Sequence, residues 1–420
     1  MKLSIQKKNT FSQLALFLLA INLIAGYIWI FGFHTQRLLA LAFSGTALLF
    51  LFFVQKTTTT TLTWKLLLLF YIIYGFVKNF TFSQYPLFLT DISAIGFIST
   101  VFLLSKINNN QLKNGTLFLI LLSLAYFTYT IPFTNFSLIR SGAFDRIEAF
   151  TSFGDDVVQG GASRGYIIYA TQQLSVAYLL FFLLLLPFVN RQLKKRYVVL
   201  LIFISIIFIF LFSAFYQKRQ PLLELIIIIT LSVFFNKKLL DGLLPKNKII
   251  SFFIGFTILY AIISANMLSS VFERFTNTLN DIENFDRLEE TKQVLSTFDI
   301  FDYIFGKGFG YYAPNTPGGI ILHIGYSNLL MKGGLILLAF YLTQTIKNII
   351  FCRKNARLFP EYYVGISISI FSIIQLLYSP GYHWFATSII AGLAMYSRYP
   401  LKSIINDKYS NTRTERSKVY

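Results

Sequence analysis

The sequence predicts an all-α polytopic integral membrane protein with about 12 transmembrane helices. Hydrophobic residues make up 55% of the 420 positions and charged residues only 13%, against about 25% charged in a soluble globular domain. Mean hydropathy is +0.61, and apolar runs recur from Phe11 to Tyr396. A water-soluble domain could not hide that much apolar surface. Tyrosines, 25 against three tryptophans, supply most of any interfacial aromatic belt.

At about 20 apolar residues per span, helices are expected near 11–31, 37–54, 62–79, 86–105, 115–133 and 166–189. Six more follow near 197–214, 221–236, 249–268, 319–345, 362–378 and 384–397. The whole chain, 1–420, reads as a single transmembrane domain. The first run follows Lys2, Lys7 and Lys8 without a small-x-small cleavage site, so it is read as a retained span. The run from Gly319 is long and carries Gly325, Gly333 and Gly334, so a tilted or broken helix is expected there. Thr57–Thr61 reads as a low-complexity connector.

Twelve spans put both termini on one side, and charge identifies it. Segments on the N-terminal side hold 25 of the 37 lysines and arginines. The clusters Arg191/Lys194/Lys195/Arg196, Lys237/Lys238/Lys246/Lys248 and Arg353/Lys354/Arg357 are the clearest. Both termini, including the basic tail 398–420, are therefore expected to be cytoplasmic. Two long loops fall on the opposite face: residues 134–165 and residues 269–318. Loops of that length are usually functional or disordered. This layout puts the chemistry outside.

The balance excludes several classes. A net charge of +19 follows from loop retention and calls for no nucleic acid. No phosphate-binding GxxxxGK[ST] or GxGxxG occurs and the cytoplasmic loops are short, which excludes ATP-driven transport within this chain. Cys352 is the sole cysteine, which excludes an intramolecular disulfide and a cysteine metal cage. No Asp-x-Asp supports a metal-dependent sugar-nucleotide transferase, and Asp155-Asp156 reads as solvated charge.

Basic residues are nevertheless retained on the outer face: Arg37, Arg140, Arg146, Arg164, Arg219, Arg274 and Arg287, with Lys78, Lys218, Lys292, Lys307 and Lys332. A planar guanidinium grips phosphate or carboxylate at two points, so the set points to an anion site. The competing reading is ion pairing with Asp145, Glu148, Glu273, Asp286 or Glu289. Lys218-Arg219 sits in a tight turn between two apolar spans, at the level of a lipid-linked phosphate. Its competing reading is snorkelling. His34, His323 and His383 fall at external span ends, and a neutral imidazole at His323 could take a proton from a sugar hydroxyl. Gly306-Lys307-Gly308-Phe309-Gly310 reads as a backbone turn that folds a loop back against the membrane. Asp91 and Glu224 are ionisable groups inside predicted spans.

Taken together, Arg287-Leu288, the Gly306–Gly310 turn, His323-Ile324-Gly325-Tyr326 and Gly334, in that order, resemble the O-antigen polymerase and O-antigen ligase superfamily of bacterial envelope enzymes. The usual His-Asn-x-Tyr appears here as His-Ile-Gly-Tyr, and the usual Ser-Arg turn appears as Lys218-Arg219. The Asn-Pro-Asn often found in the first external loop is missing. The resemblance covers residues 134–345. It implies a metal-independent glycosyltransferase that needs no cofactor and joins undecaprenyl-pyrophosphate-linked repeat units on the periplasmic face of the inner membrane. It casts His323, Arg287 and Arg219 as catalytic, and Arg140, Arg146, Arg164, Arg274, Lys218 and Tyr326 as substrate-binding. A chain-length regulator is the protein partner it implies, beside membrane lipids. A ligase moving polymer to lipid A–core, or a polysaccharide flippase, are the alternatives.

Overall fold

The computed structural model describes residues 34–55, 59–79, 85–104, 286–311, 324–377 and 385–402, with isolated positions elsewhere. Every regular element among them is helical: α1 His34–Val54, α2 Thr59–Asn79, α3 Tyr85–Leu104, α4 Asp286–Leu295, α5 Ile300–Phe305, α6 Gly325–Ala356, α7 Tyr362–Gln375 and α8 Phe385–Tyr396. The chain divides into two units, Met1–Leu112 with Asp286–Tyr420, and Lys113–Phe285. All eight helices belong to the first. In the second, helical positions are described only between residues 224 and 231, within the expected span 221–236. The expected spans 115–133, 166–189, 197–214 and 249–268 lie outside the described residues.

Six expected spans coincide with α1, α2, α3, α6, α7 and α8 to within a few residues at most ends. Two segments, Thr61–Asn79 and Gly325–Ala356, are long and apolar enough to cross a membrane. At 1.5 Å per residue the first is roughly 28 Å long, close to the hydrocarbon thickness of a bilayer.

Helix α6 departs most from expectation. It starts six residues late and runs eleven past residue 345, so Lys347, Arg353 and Lys354 continue the helix. Arg353 and Lys354 occupy its last turn, where positive charge opposes the negative end of the helix dipole. The expected break is present: Gly334 has φ 60° and ψ −163°. Loop 269–318 is not irregular throughout, since α4 and α5 form within it. Asp299 and Asp302 form a reciprocal capping box at the start of α5.

Small and polar residues hold the bundle together. Gly45 and Gly96 bring the backbones of α1 and α3 into contact, and Gly392 brings α8 onto Ile98 of α3. Buried Lys65 donates to the carbonyls of Phe53 and Gln55, at 2.9 and 2.8 Å, closing the C-terminal end of α1. Asn348 of α6 donates to Ser369 of α7 at 3.0 Å and to Ser397, just past α8, at 2.8 Å. Trp64 stacks on Phe340 with centroids 5.3 Å apart, and Phe102 meets Tyr396 at 4.6 Å.

Candidate functional site

The glycine turn follows α5 directly and is clamped by three helices. Gly306, Gly308 and Gly310 adopt φ of 77°, 88° and 81°, a left-handed region that favours glycine. Lys307 N–H donates to Met331 O at 2.7 Å and Gly308 N–H to Lys332 O at 3.2 Å. These α6 carbonyls lie just before the Gly334 kink. From α2, Tyr74 donates to Gly306 O at 3.0 Å, and the Asn79 amide donates to Lys307 O and Phe309 O at 2.7 and 3.0 Å. Tyr71, also on α2, donates to Gly333 O at 2.5 Å. Gly75 makes the approach possible: a Cβ there would lie 2.7 Å from Phe309 N. Gly75→Ala is expected to lift the turn and cost about 1–3 kcal/mol, as overpacking of a tight contact does. A lowered unfolding midpoint of the detergent-solubilised protein checks it.

Two ion-pair groups flank the turn. Asp91 of α3 and Lys332 of α6 meet at 2.9 Å with side chains 1% and 0% exposed. The same Asp91 oxygen accepts Gly310 N–H at 2.7 Å, and Lys332 donates to Tyr311 O at 3.0 Å. The second group centres on Asp302 of α5, which pairs with Lys78 of α2 at 2.9 Å and with Lys307 of the turn. Burial disfavours the Asp302 carboxylate, but hydrogen bonds from Lys307 and Lys78 outweigh it and hold its carboxyl below the usual carboxylate range. A depressed folded value means stability that is present above the unfolded value, about 3.9, and lost as pH falls through the folded one. The gap in unfolding midpoint between wild type and Asp302→Asn is thus expected to be constant above about pH 5 and to close in stronger acid. Three lysines from the expected anion-binding set, Lys78, Lys307 and Lys332, are therefore counter-charges to buried carboxylates. A fourth, Lys292, lies 3.7 Å from Glu289 on the exposed face of α4. The ion-pairing reading holds for these four, although three of them use Asp91 and Asp302 rather than the partners expected.

The start of α6 is pinned on both sides of position 323. The Asn328 side chain grips Leu322 at two points, accepting from its N–H at 2.8 Å and donating to its carbonyl at 2.5 Å. Gly325 N–H donates to Leu376 O at 2.9 Å, which ties the helix to the end of α7. Tyr326 is half-buried, and its hydroxyl donates to Ile373 O at 2.8 Å. Thr291 of α4 hydrogen-bonds Ser327 at 3.2 Å. Leu322, Val294 and Met331 form a small core with Phe298 and Tyr311 packed on it.

Arg287 lies in the first turn of α4, the helix that packs on α6 near its start. His323 lies outside the described residues, as do Arg140, Arg146, Arg164, Lys218, Arg219, Arg274 and His383. His34 opens α1. Glu224 is fully buried. Among the described residues no group of three or more His, Cys, Asp or Glu side chains could hold a metal ion. Sequence reasoning missed Asn328, Asp302, Tyr71 and Asn79. Only Asp302 carried a signal, as one half of the Asp-x-x-Asp capping pair before an apolar turn. The arrangement ties α4, the turn and the start of α6 together. No protein-family model, curated protein or solved structure matches this chain.

Proposed function

We propose that this chain is a surface-polysaccharide polymerase of the O-antigen polymerase type. It is a multi-pass protein of the bacterial inner membrane with both termini cytoplasmic and loops 134–165 and 269–318 periplasmic. It transfers a glycan from one undecaprenyl-pyrophosphate carrier to the non-reducing sugar of another. The carrier pyrophosphate is already a leaving group, so the reaction requires no nucleotide and no metal. Arg219 and Arg287 hold the pyrophosphate and offset the charge that builds as it departs. His323 takes the proton from the acceptor hydroxyl. A direct displacement at the pyrophosphate-bearing carbon would invert the anomeric centre.

One observation supports this reading: α4, the helix that carries Arg287, the glycine turn, and Leu322 and Gly325 on either side of position 323 are all hydrogen-bonded to α6 or α7. The backbone segments 286–295 and 324–328, far apart in sequence, share one scaffold. Catalytic groups need such support, because misplacement by about 1 Å can cost 10²-fold.

Two experiments test it. In a strain lacking the gene, lipopolysaccharide is expected to carry a single repeat on the core. Bare core with accumulated lipid-linked polymer would instead indicate the ligase. For topology, single cysteines in a Cys352→Ser background are expected to react with an impermeant maleimide in spheroplasts at 134–165 and 269–318. Those at 190–197 and 237–248 are expected to be protected, and the reverse pattern would overturn the orientation.

A further inference from the structure

We infer that α5 and the glycine turn form a re-entrant element that inserts into the lipid boundary, with Ile300, Phe301 and Ile304 facing the acyl chains. The inference goes beyond the proposed reaction and rests on α2 crossing the membrane. Depth is the first argument. Phe305, the last residue of α5, meets the rings of Phe70 and Tyr74 with centroids 6.1 and 6.4 Å apart. Those residues lie nine and five positions inside the end of α2 at Asn79. At 1.5 Å per residue that is roughly 8–14 Å below the helix end. Phe309 reaches a similar level, 5.7 Å from the Tyr71 ring. The loop therefore descends beside the span rather than sitting above it.

Hydrogen-bond accounting is the second argument. Non-helical backbone at membrane depth persists only where protein satisfies its polar groups. Here the N–H groups of Gly306, Lys307, Gly308 and Gly310 all find acceptors: Asp302 O, Met331 O, Lys332 O and the Asp91 carboxylate. The carbonyls of Gly306, Lys307 and Phe309 accept from Tyr74 and Asn79. The turn, buried against α2, α3 and α6, thus meets that requirement.

The exposed face is the third. Ile300 and Phe301 are 78% and 70% exposed, and Ile304 is 38% exposed. On α2, Phe70, Ile73, Phe76 and Val77 are likewise exposed. The two surfaces are joined by the Phe70–Phe305 contact, so the apolar face of α5 continues the surface that α2 presents to lipid. Asp302, the one charged residue within α5, is buried against Lys78 and Lys307, and Asp299, exposed at the head of the helix, serves as its N-cap. A lipid surface is the occupant that this separation fits.

Nitroxide accessibility in lipid nanodiscs tests the inference. Single cysteines replace Ile300, Phe301, Ile304, Leu66 or Lys292 in the full-length Cys352→Ser chain, and only variants that elute at the wild-type volume are labelled. Oxygen concentrates in hydrocarbon, whereas a neutral nickel chelate stays in water. Labels at Ile300, Phe301 and Ile304 are expected to respond to oxygen several-fold more than to the chelate, like the label at exposed Leu66 on α2. The label at Lys292 on α4 is expected to respond to the chelate. Chelate access at 300, 301 and 304 equal to that at 292 would overturn the inference, with Leu66 still in lipid. Shielding of the three labels from both reagents would also overturn it, by showing protein rather than lipid on that face. Chelate access at Leu66 would remove the transmembrane reading of α2 and the inference with it.

Discussion

Lys332→Met is expected to be among the most destabilising single substitutions in the bundle. Removing the ammonium takes from Asp91, 1% exposed, the cation it pairs with, and breaking one side of a buried pair typically costs about 3–5 kcal/mol. Pairing the substitution with a change at Asp91 separates charge from packing. Lys332→Met/Asp91→Leu removes both charges but strips Gly310 N–H of its acceptor, which costs about 1–3 kcal/mol. Lys332→Met/Asp91→Asn removes both charges and keeps that acceptor, so it is expected to lie nearest wild type. The order of unfolding midpoints in detergent is thus Lys332→Met lowest, then Asp91→Leu double, then Asp91→Asn double. A Lys332→Met variant as stable as wild type would contradict the role given to the pair.

The second large effect is on turnover. His323→Ala is expected to lower the rate on purified lipid-linked repeat by about 10²–10⁴-fold, the range of general-base catalysis, with an unchanged unfolding midpoint. His34→Ala and His383→Ala are expected to be mild. Arg287→Lys and Arg219→Lys are each expected to lose much of the activity, because a point charge does not reproduce a two-point grip. A drop below about threefold for His323→Ala, far under that range, would move the base elsewhere, first to Glu148, Asp286 or Glu289. Asn328→Ala separates position from chemistry. It removes two buried hydrogen bonds to Leu322, so it is expected to cost about 1–3 kcal/mol in stability and to slow turnover while leaving the pH profile of the rate unchanged.

The helices α1, α2, α3, α6, α7 and α8 were legible because each carries an apolar run of about 12 to 20 residues, which a hydropathy window detects without knowing its partners. The turn at Gly306–Gly310 was legible for a local reason, since alternate glycines mark alternate positive φ. The break at Gly334 was legible in the same way. Charge in the outer loops was harder to read. Lys78 and Lys332 find Asp302 and Asp91 across sequence separations of 224 and 241 residues, and no local pattern encodes such partners; Lys307, five residues from Asp302, is brought back to it by the glycine turn. Helix α4, Asp286–Leu295, escaped notice because it is polar and short, so an apolar-window search passes over it. The overrun of α6 past residue 345 has the same origin: Asn348 is placed by polar contacts to Ser369 and Ser397 rather than by hydropathy.

The most direct measurement is glycosyl transfer by the purified full-length chain in nanodiscs, supplied only with undecaprenyl-pyrophosphate-linked repeat units and a chelator. The polymerase assignment requires products of two and more repeats on one carrier, release of undecaprenyl pyrophosphate, and loss of both in His323→Ala at equal protein. A folded, monodisperse wild-type chain that leaves the repeat unjoined, tested with repeat from its own strain, would contradict it.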